Sequence, residues 1–208
     1  MSNVYECKHP LMAHKLAQLR SSETKTKRFR ELIREISILL AYDATSDLIT
    51  EPISVSTPLG KAAGQMITET IGIVPILRAG LGMVQGVLEM IPGAEVWHIG
   101  LYRDDHTLQP IEYYNKLPVG PRVQVCLVLD PMLATGGSAV ATVAILKNWG
   151  VERIKYMGVI AAPEGIEQVQ NHHPDIPIYI GGIDSHLNDI GFIVPGLGDA
   201  GDRQFGTG

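Results

Sequence analysis

Two periods of apolar residues run along this chain. Between 22 and 46, Phe29, Leu32, Ile33, Ile36, Leu39 and Leu40 recur at the spacing that gathers side chains on one face of a helix. The opposite face carries Lys25, Lys27, Arg28, Arg30 and Arg34, read first as a solvated face and second as a site for anions or a partner. From 71 onward the pattern changes. IGIVPI, EVWHIGL, VQVCLVLD, IKYMGVI and IPIYI are short runs, apolar on both faces, separated by helix-like segments at 80–91, 138–149 and 163–172. Strands buried on both faces and alternating with helices predict an α/β fold built on a doubly wound parallel sheet.

Two stretches break this rhythm. Residues 102–121 hold Pro110, Pro118 and Pro121 with no helical pattern, which predicts an excursion in the form of a β-arm or loop, serving as a lid or a subunit contact. The last stretch, GFIVPGLGDAGDRQFGTG, is dense in glycine and either frays or folds over a ligand site. The expected organisation is one domain over 1–208, with N-terminal helices in 10–46, a core of 68–182, the arm at 102–121 and a C-terminal hood at 183–208.

Composition narrows the function classes. At 208 residues the chain is long enough to bury a core, and with 45% hydrophobic and 19% charged residues it is expected to be globular throughout. A net charge of −5 gives no general attraction to nucleic acid or to an anionic membrane. Neither a signal-peptide pattern nor a membrane-length apolar run is present, so a cytoplasmic protein is expected. Two cysteines and seven histidines form no zinc spacing, so no metal site built by the protein alone is expected.

Candidate chemistry lies at strand ends, where open α/β sheets bind ligands. After VQVCLVL come Asp130 and the turn Ala134–Thr135–Gly136–Gly137–Ser138, which leads into a helix. A helix N-terminus with glycines and hydroxyls suits a phosphate, and a carboxylate beside it can accept hydrogen bonds from sugar hydroxyls. The bland alternative is an ordinary turn capped by Ser138. The turn lacks the lysine of a nucleoside-triphosphate loop, so a ribose 5-phosphate fits better than ATP. Arg78 follows another strand beside Gly80, Gly82 and Gly86, where a fork-shaped cation suits a pyrophosphate. Gln85 stands where the dinucleotide fingerprint needs glycine. Arg103 ends a third strand, with a surface pair to Asp104 or Asp105 as its alternative. In the tail, Asp199 is either a solvated turn acid or a carboxylate held near a reacting sugar or base.

Taken together, DPMLATGGS at 130–138, PILRAGLGM at 75–83, YR at 102–103 and GLGDAGDRQFGT at 196–207 resemble the uracil phosphoribosyltransferase family, as do KHPL, TKRFREL and AAPEGI elsewhere. The resemblance implies a type I phosphoribosyltransferase fold. It implies the reaction of uracil with 5-phospho-α-D-ribose 1-diphosphate to give UMP and diphosphate, with Mg²⁺ arriving mainly on the donor's diphosphate. It assigns donor binding to Arg78, Arg103, Asp199 and the loop Asp130, Pro131, Met132, Leu133, Ala134, Thr135, Gly136, Gly137 and Ser138. Uracil falls to Ile193, Gly198, Asp199 and Ala200, and catalysis to Arg78, Arg103 and Asp199. Pro131 stands where phosphoribosyltransferases in general carry a second acid, which leaves one carboxylate for the ribose hydroxyls. The expected partners are the two substrates, further copies of the chain in a dimer or tetramer, and GTP as effector, with no nucleic acid and no membrane. Hypoxanthine, guanine and orotate are the alternative bases, and an RNA-binding regulator is the alternative class. The 193–200 segment offers no cation for orotate's carboxylate.

Overall fold

In a computed structural model of the chain, residues 3–103, 110–115, 117, 118 and 120–207 are described. Among them, β1 (Val4–Glu6), α1 (Pro10–Arg20) and α2 (Thr26–Ala44) lead into a hairpin of β2 (Thr50–Thr57) and β3 (Gly60–Ile67). The core follows as β4 (Ile71–Leu77), α3 (Leu81–Met90), β5 (Glu95–Val96), β6 (Ile99–Arg103), β7 (Pro110–Asn115), β8 (Val125–Leu129), β9 (Met132–Leu133), α4 (Gly137–Trp149), β10 (Arg153–Ala161), α5 (Pro163–His172) and β11 (Ile178–Ile183). The chain closes with β12 (His186–Leu187), β13 (Ile193–Val194) and α6 (Ala200–Phe205).

The main sheet runs β1-β11-β10-β8-β4-β6-β7, with β5 and β9 as short additions. Its pairings are parallel except for β6 with β7. Period-two alternation divides the core between two faces. Val125, Leu127 and Leu129 of β8 pack with residues of α1, α2 and α3, whereas Cys126 and Val128 pack with residues of α4 and α5. The expected doubly wound α/β fold is therefore the fold observed.

Local differences have physical causes. The 22–46 helix shortens to α2, and a separate α1 precedes it. The basic face of α2 is largely committed to intramolecular partners: Arg28 pairs with Glu31 and Glu35, Arg34 with Glu89, and Arg30 donates to the main-chain carbonyl of Gln204. Part of the 102–121 excursion is β7, an antiparallel edge strand of the main sheet, while 104–109, 116 and 119 lie outside the described residues. The feature that stands apart from the sheet is instead the β2–β3 hairpin, whose strands are exposed along most of their length. Its foot is fastened by Glu69, which accepts from the Ile49 amide (2.7 Å) and pairs with Arg153. No helix among the described residues is long and apolar enough to cross a membrane.

Candidate active site

The strand order reverses at β4 and β8. The chain leaves β4 toward β6 on one side and returns to β8 on the other, so a crevice opens beyond the carboxyl ends of this pair. Pro75 of β4 lies opposite Leu129 of β8, which brings the segment after each strand to the same edge. The two segments touch: a Cβ on Gly80 would lie 2.3 Å from the Leu129 carbonyl oxygen, so only glycine permits this approach.

Beyond β8 the main chain stays pinned to β10. The Asp130 amide donates to the Met157 carbonyl (3.1 Å), and the Pro131 carbonyl accepts from the amides of Val159 (3.1 Å) and Ile160 (3.0 Å). Met132 and Leu133 resume parallel pairing with β10 as β9. The turn into α4 then folds around a pocket of about 110 Å³ lined by Asp130 and by residues 132–139. Gly136 is the N-cap of α4 at φ +80°, a conformation that favours glycine and brings no capping side chain. Ser138, the cap in the bland sequence reading, is instead the second residue of the helix. The first-turn amides of α4 face an anion-sized pocket.

A glycine on the neighbouring helix closes this loop from behind. A Cβ on Gly165 of α5 would lie 2.3 Å from the Ala134 carbonyl oxygen and 2.7 Å from that of Leu133. Gly165 was not among the residues singled out by sequence, although it sits in the quoted AAPEGI stretch.

Asp130 is half-buried, and burial pushes its carboxyl from the ordinary 3.8 up to about 7. The amide of Met132 approaches one oxygen at 3.4 Å and opposes that rise. The Tyr156 hydroxyl donates to the Asp130 main-chain carbonyl (3.2 Å). A carboxyl in this setting holds a proton readily until an external donor, such as a sugar hydroxyl, compensates the ionised form.

Arg78 follows β4 through a cis Leu77–Arg78 peptide and leads to Gly80, the N-cap of α3. Its guanidinium is exposed and reaches the tail, where Nη2 lies 3.3 Å from Asp202 Oδ1 and the group sits 6.0 Å from the Phe205 ring. Asp199 is the N-cap of α6, its Oδ1 accepting from the Asp202 amide at 2.8 Å. An ideal Cβ on Gly201 would lie 3.2 Å from Asp199 Oδ1 and 3.6 Å from Arg78 Nη2, so carboxylate and guanidinium converge there. Asp202 escaped the sequence reading; its only signal was the three-residue spacing from Asp199, which also fits a simple helix start.

The tail is firmly folded. Ile193, Leu197 and Ala200 are buried, and Gly198 adopts φ +78° in the turn before α6. Fully buried Gln204 donates from Nε2 to the carbonyls of Ala79 and Ala200, both at 3.0 Å, tying α6 to the segment after Arg78. The structure thus gathers Arg78, the 130–138 loop and the segment containing Asp199 around one end of the sheet. Arg103 ends β6, and its side chain lies outside the described residues.

Hard oxygen donors at the crevice fit Mg²⁺, which binds through one or two carboxylates together with substrate phosphates. No group of three or more acidic, histidine or cysteine side chains that could hold a metal occurs among the described residues.

Comparison with known proteins bears on the whole chain. Residues 6–207 match the family model described as uracil phosphoribosyltransferase. The uracil phosphoribosyltransferases of Roseiflexus castenholzii and Anoxybacillus flavithermus are 59% and 55% identical over 208 residues, covering 100% of both chains in each comparison. A solved structure of the AQ2163 protein from Aquifex aeolicus superposes with a TM-score of 0.91 at 36% identity, covering 98% of each chain. A hypoxanthine-guanine phosphoribosyltransferase from Bacillus anthracis shares the fold alone, with a TM-score of 0.53 at 12% identity over 76% of this chain and 80% of its own. The chain belongs to the uracil phosphoribosyltransferase family.

Proposed function

We propose that this chain joins uracil to 5-phospho-α-D-ribose 1-diphosphate at the β4–β8 crevice, releasing UMP and diphosphate as a glycosyltransferase of pyrimidine salvage. The observation that carries this reading is the meeting of three segments at one sheet edge: Arg78 after β4, the 130–138 pocket after β8, and the glycine-rich tail lying against Arg78. The 5-phosphate occupies the 110 Å³ pocket at the start of α4, and Asp130 accepts from the ribose hydroxyls. Arg78, with Arg103, meets the diphosphate. Uracil lies along Ile193 and the turn Gly198–Ala200, read by main-chain groups that suit the donor and acceptor edge of a neutral base.

The reaction breaks the bond between ribose C1 and the diphosphate oxygen, forms the bond from C1 to N1 of uracil, and removes the N1 proton. Positive charge grows on the ribose ring while negative charge grows on the leaving diphosphate. Fixed cations at the leaving group lower that barrier, and Arg78, exposed beyond the carboxyl end of β4, supplies one. Mg²⁺, carried mainly on the donor's diphosphate, adds charge neutralisation there. Asp130 holds the ribose, and Asp199 orients the base or accepts its proton. While its Oδ1 accepts from the Asp202 amide, that carboxylate keeps Oδ2 for the substrate.

The proposal extends to a cytoplasmic homo-oligomer, dimer or tetramer, with GTP as effector. Exposed apolar residues of the hairpin region, Ile49, Leu59, Met66 and Ile67, are the surface that supports self-association. Incubating the protein with uracil, the donor and Mg²⁺ is expected to yield UMP and diphosphate in equal amounts. No UMP above background contradicts the proposal.

A further inference from the structure

We infer that Arg20 and Asp184 are positioning residues for the base: their ion pair fixes the main chain that leads into the Gly198–Ala200 turn. The inference rests on the uracil placement proposed above. Arg20 is the last residue of α1, and Asp184 directly follows β11, 164 positions later. Arg20 Nη1 donates to Asp184 Oδ2 at 2.7 Å, and Nη2 donates to Oδ1 at 2.5 Å, a two-pronged contact. The same Oδ2 accepts from the Gly196 amide at 2.9 Å, and the same Nη1 donates to the Gly196 carbonyl at 2.7 Å. One ion pair therefore holds both main-chain polar groups of Gly196.

Gly196 has no freedom to compensate. It adopts φ +65°, and a Cβ there would lie 2.1 Å from the Ile193 carbonyl oxygen. The next residue is fastened as well: Arg203 Nη1 donates to the carbonyls of Leu197 and Leu19, both at 2.8 Å, and Nη2 donates to that of Ser21 at 2.6 Å. Gly196 and Leu197, the two residues before the base-reading turn, are thus bound to the end of α1. A pocket that reads its ligand through main-chain groups cannot correct a displaced turn by turning a side chain. The Asp184 side chain is 5% exposed and has Arg20 and the Gly196 amide as its partners, so removing Arg20 leaves a buried carboxylate without its cation. The side-chain hydrogen bonds of the pair run to each other and to Gly196, in the segment assigned to the base.

The test measures KM for uracil and for the donor separately in Arg20→Gln, Arg20→Lys, Asp184→Asn and the doubly neutral Arg20→Gln/Asp184→Asn chain. Uracil KM is expected to rise about tenfold or more in Arg20→Gln, Asp184→Asn and the double variant, with donor KM changed by less than about twofold. Arg20→Lys, which keeps the charge without the fork, should fall between. The double variant leaves no orphan charge and keeps the test open if Asp184→Asn fails to fold. A drop in thermal stability with both KM values unchanged, or a parallel rise in both, overturns the inference. Gly198→Ala separates the two levels. If it leaves uracil KM unchanged, the turn is not the base site; if it raises uracil KM while the Arg20 and Asp184 variants do not, only the positioning role falls.

Discussion

Asp130 holds the sharpest electrostatic conflict in the site. Its carboxyl loses its proton near 3.8 in an unfolded chain and near 7 in the folded one, because burial disfavours the charge. Between those values the folded chain binds a proton that the unfolded chain has released, so this group's contribution to stability falls as pH rises and levels off above about 7. Asp130→Asn removes that dependence. The variant is expected to be more stable than the parent by about 1–2 kcal/mol at pH 8, and equal to it near pH 4, in denaturant titrations. It should also raise donor KM by about tenfold, since an amide replaces the acceptor for the ribose hydroxyls. In the proposed reading, that cost in stability is what keeping a carboxylate for the ribose entails. The place of Asp130 was legible in sequence, as an acid ending an apolar run before a glycine turn. Its raised pKa was not, because that depends on the packing of residues distant in the chain. Asp199 shows the same boundary: its turn was legible, but its cap to the Asp202 amide and the contact of Asp202 with Arg78 needed the fold.

At the scale of elements, the loop after β8 depends on the helix behind it. α5 begins at Pro163 and lays Gly165 against the carbonyls of Leu133 and Ala134. Gly165→Ala must push α5 or the loop aside, because the obstructing atoms are main chain. It is expected to cost about 1–3 kcal/mol of stability and to raise donor KM more than uracil KM, which thermal unfolding and steady-state kinetics measure directly. Unchanged donor KM would separate this contact from the phosphate pocket. The strands β4, β8, β10 and β11 were legible because each is largely buried on both faces and reads as a mostly apolar run, interrupted in β10 by Lys155. The β2–β3 hairpin was not, since its largely exposed strands mix small, polar and apolar residues and make neither period clear. EVWHIGL gave one apolar run where the structure has two short strands, β5 and β6, divided by Trp97 and His98.

For the molecule as a whole, the doubly wound topology places the crevice, and the tail completes it. The segments after β4 and β8 supply an arginine and an anion-sized pocket, which in the proposed reading is a frame that serves any phosphoribosyl transfer. In the proposed reading the choice of base belongs to the tail, which is fastened to α1 and α2 by Arg20, Arg30 and Arg203. From sequence, the tail's lack of a basic residue at 193–200 argued against orotate. The structure adds Arg20 at the back of the turn, paired with Asp184 and so not free for a carboxylated base. That juxtaposition spans most of the chain, which is why spacing could not reveal it. Side-by-side initial rates with uracil, hypoxanthine, guanine and orotate, at one donor and Mg²⁺ concentration, test the central claim most directly. Uracil is expected to react at least about a hundredfold faster than the other three, since a site built on specific hydrogen bonds rejects bases that leave them unpaired. A comparable or higher rate with any of the three would contradict the account.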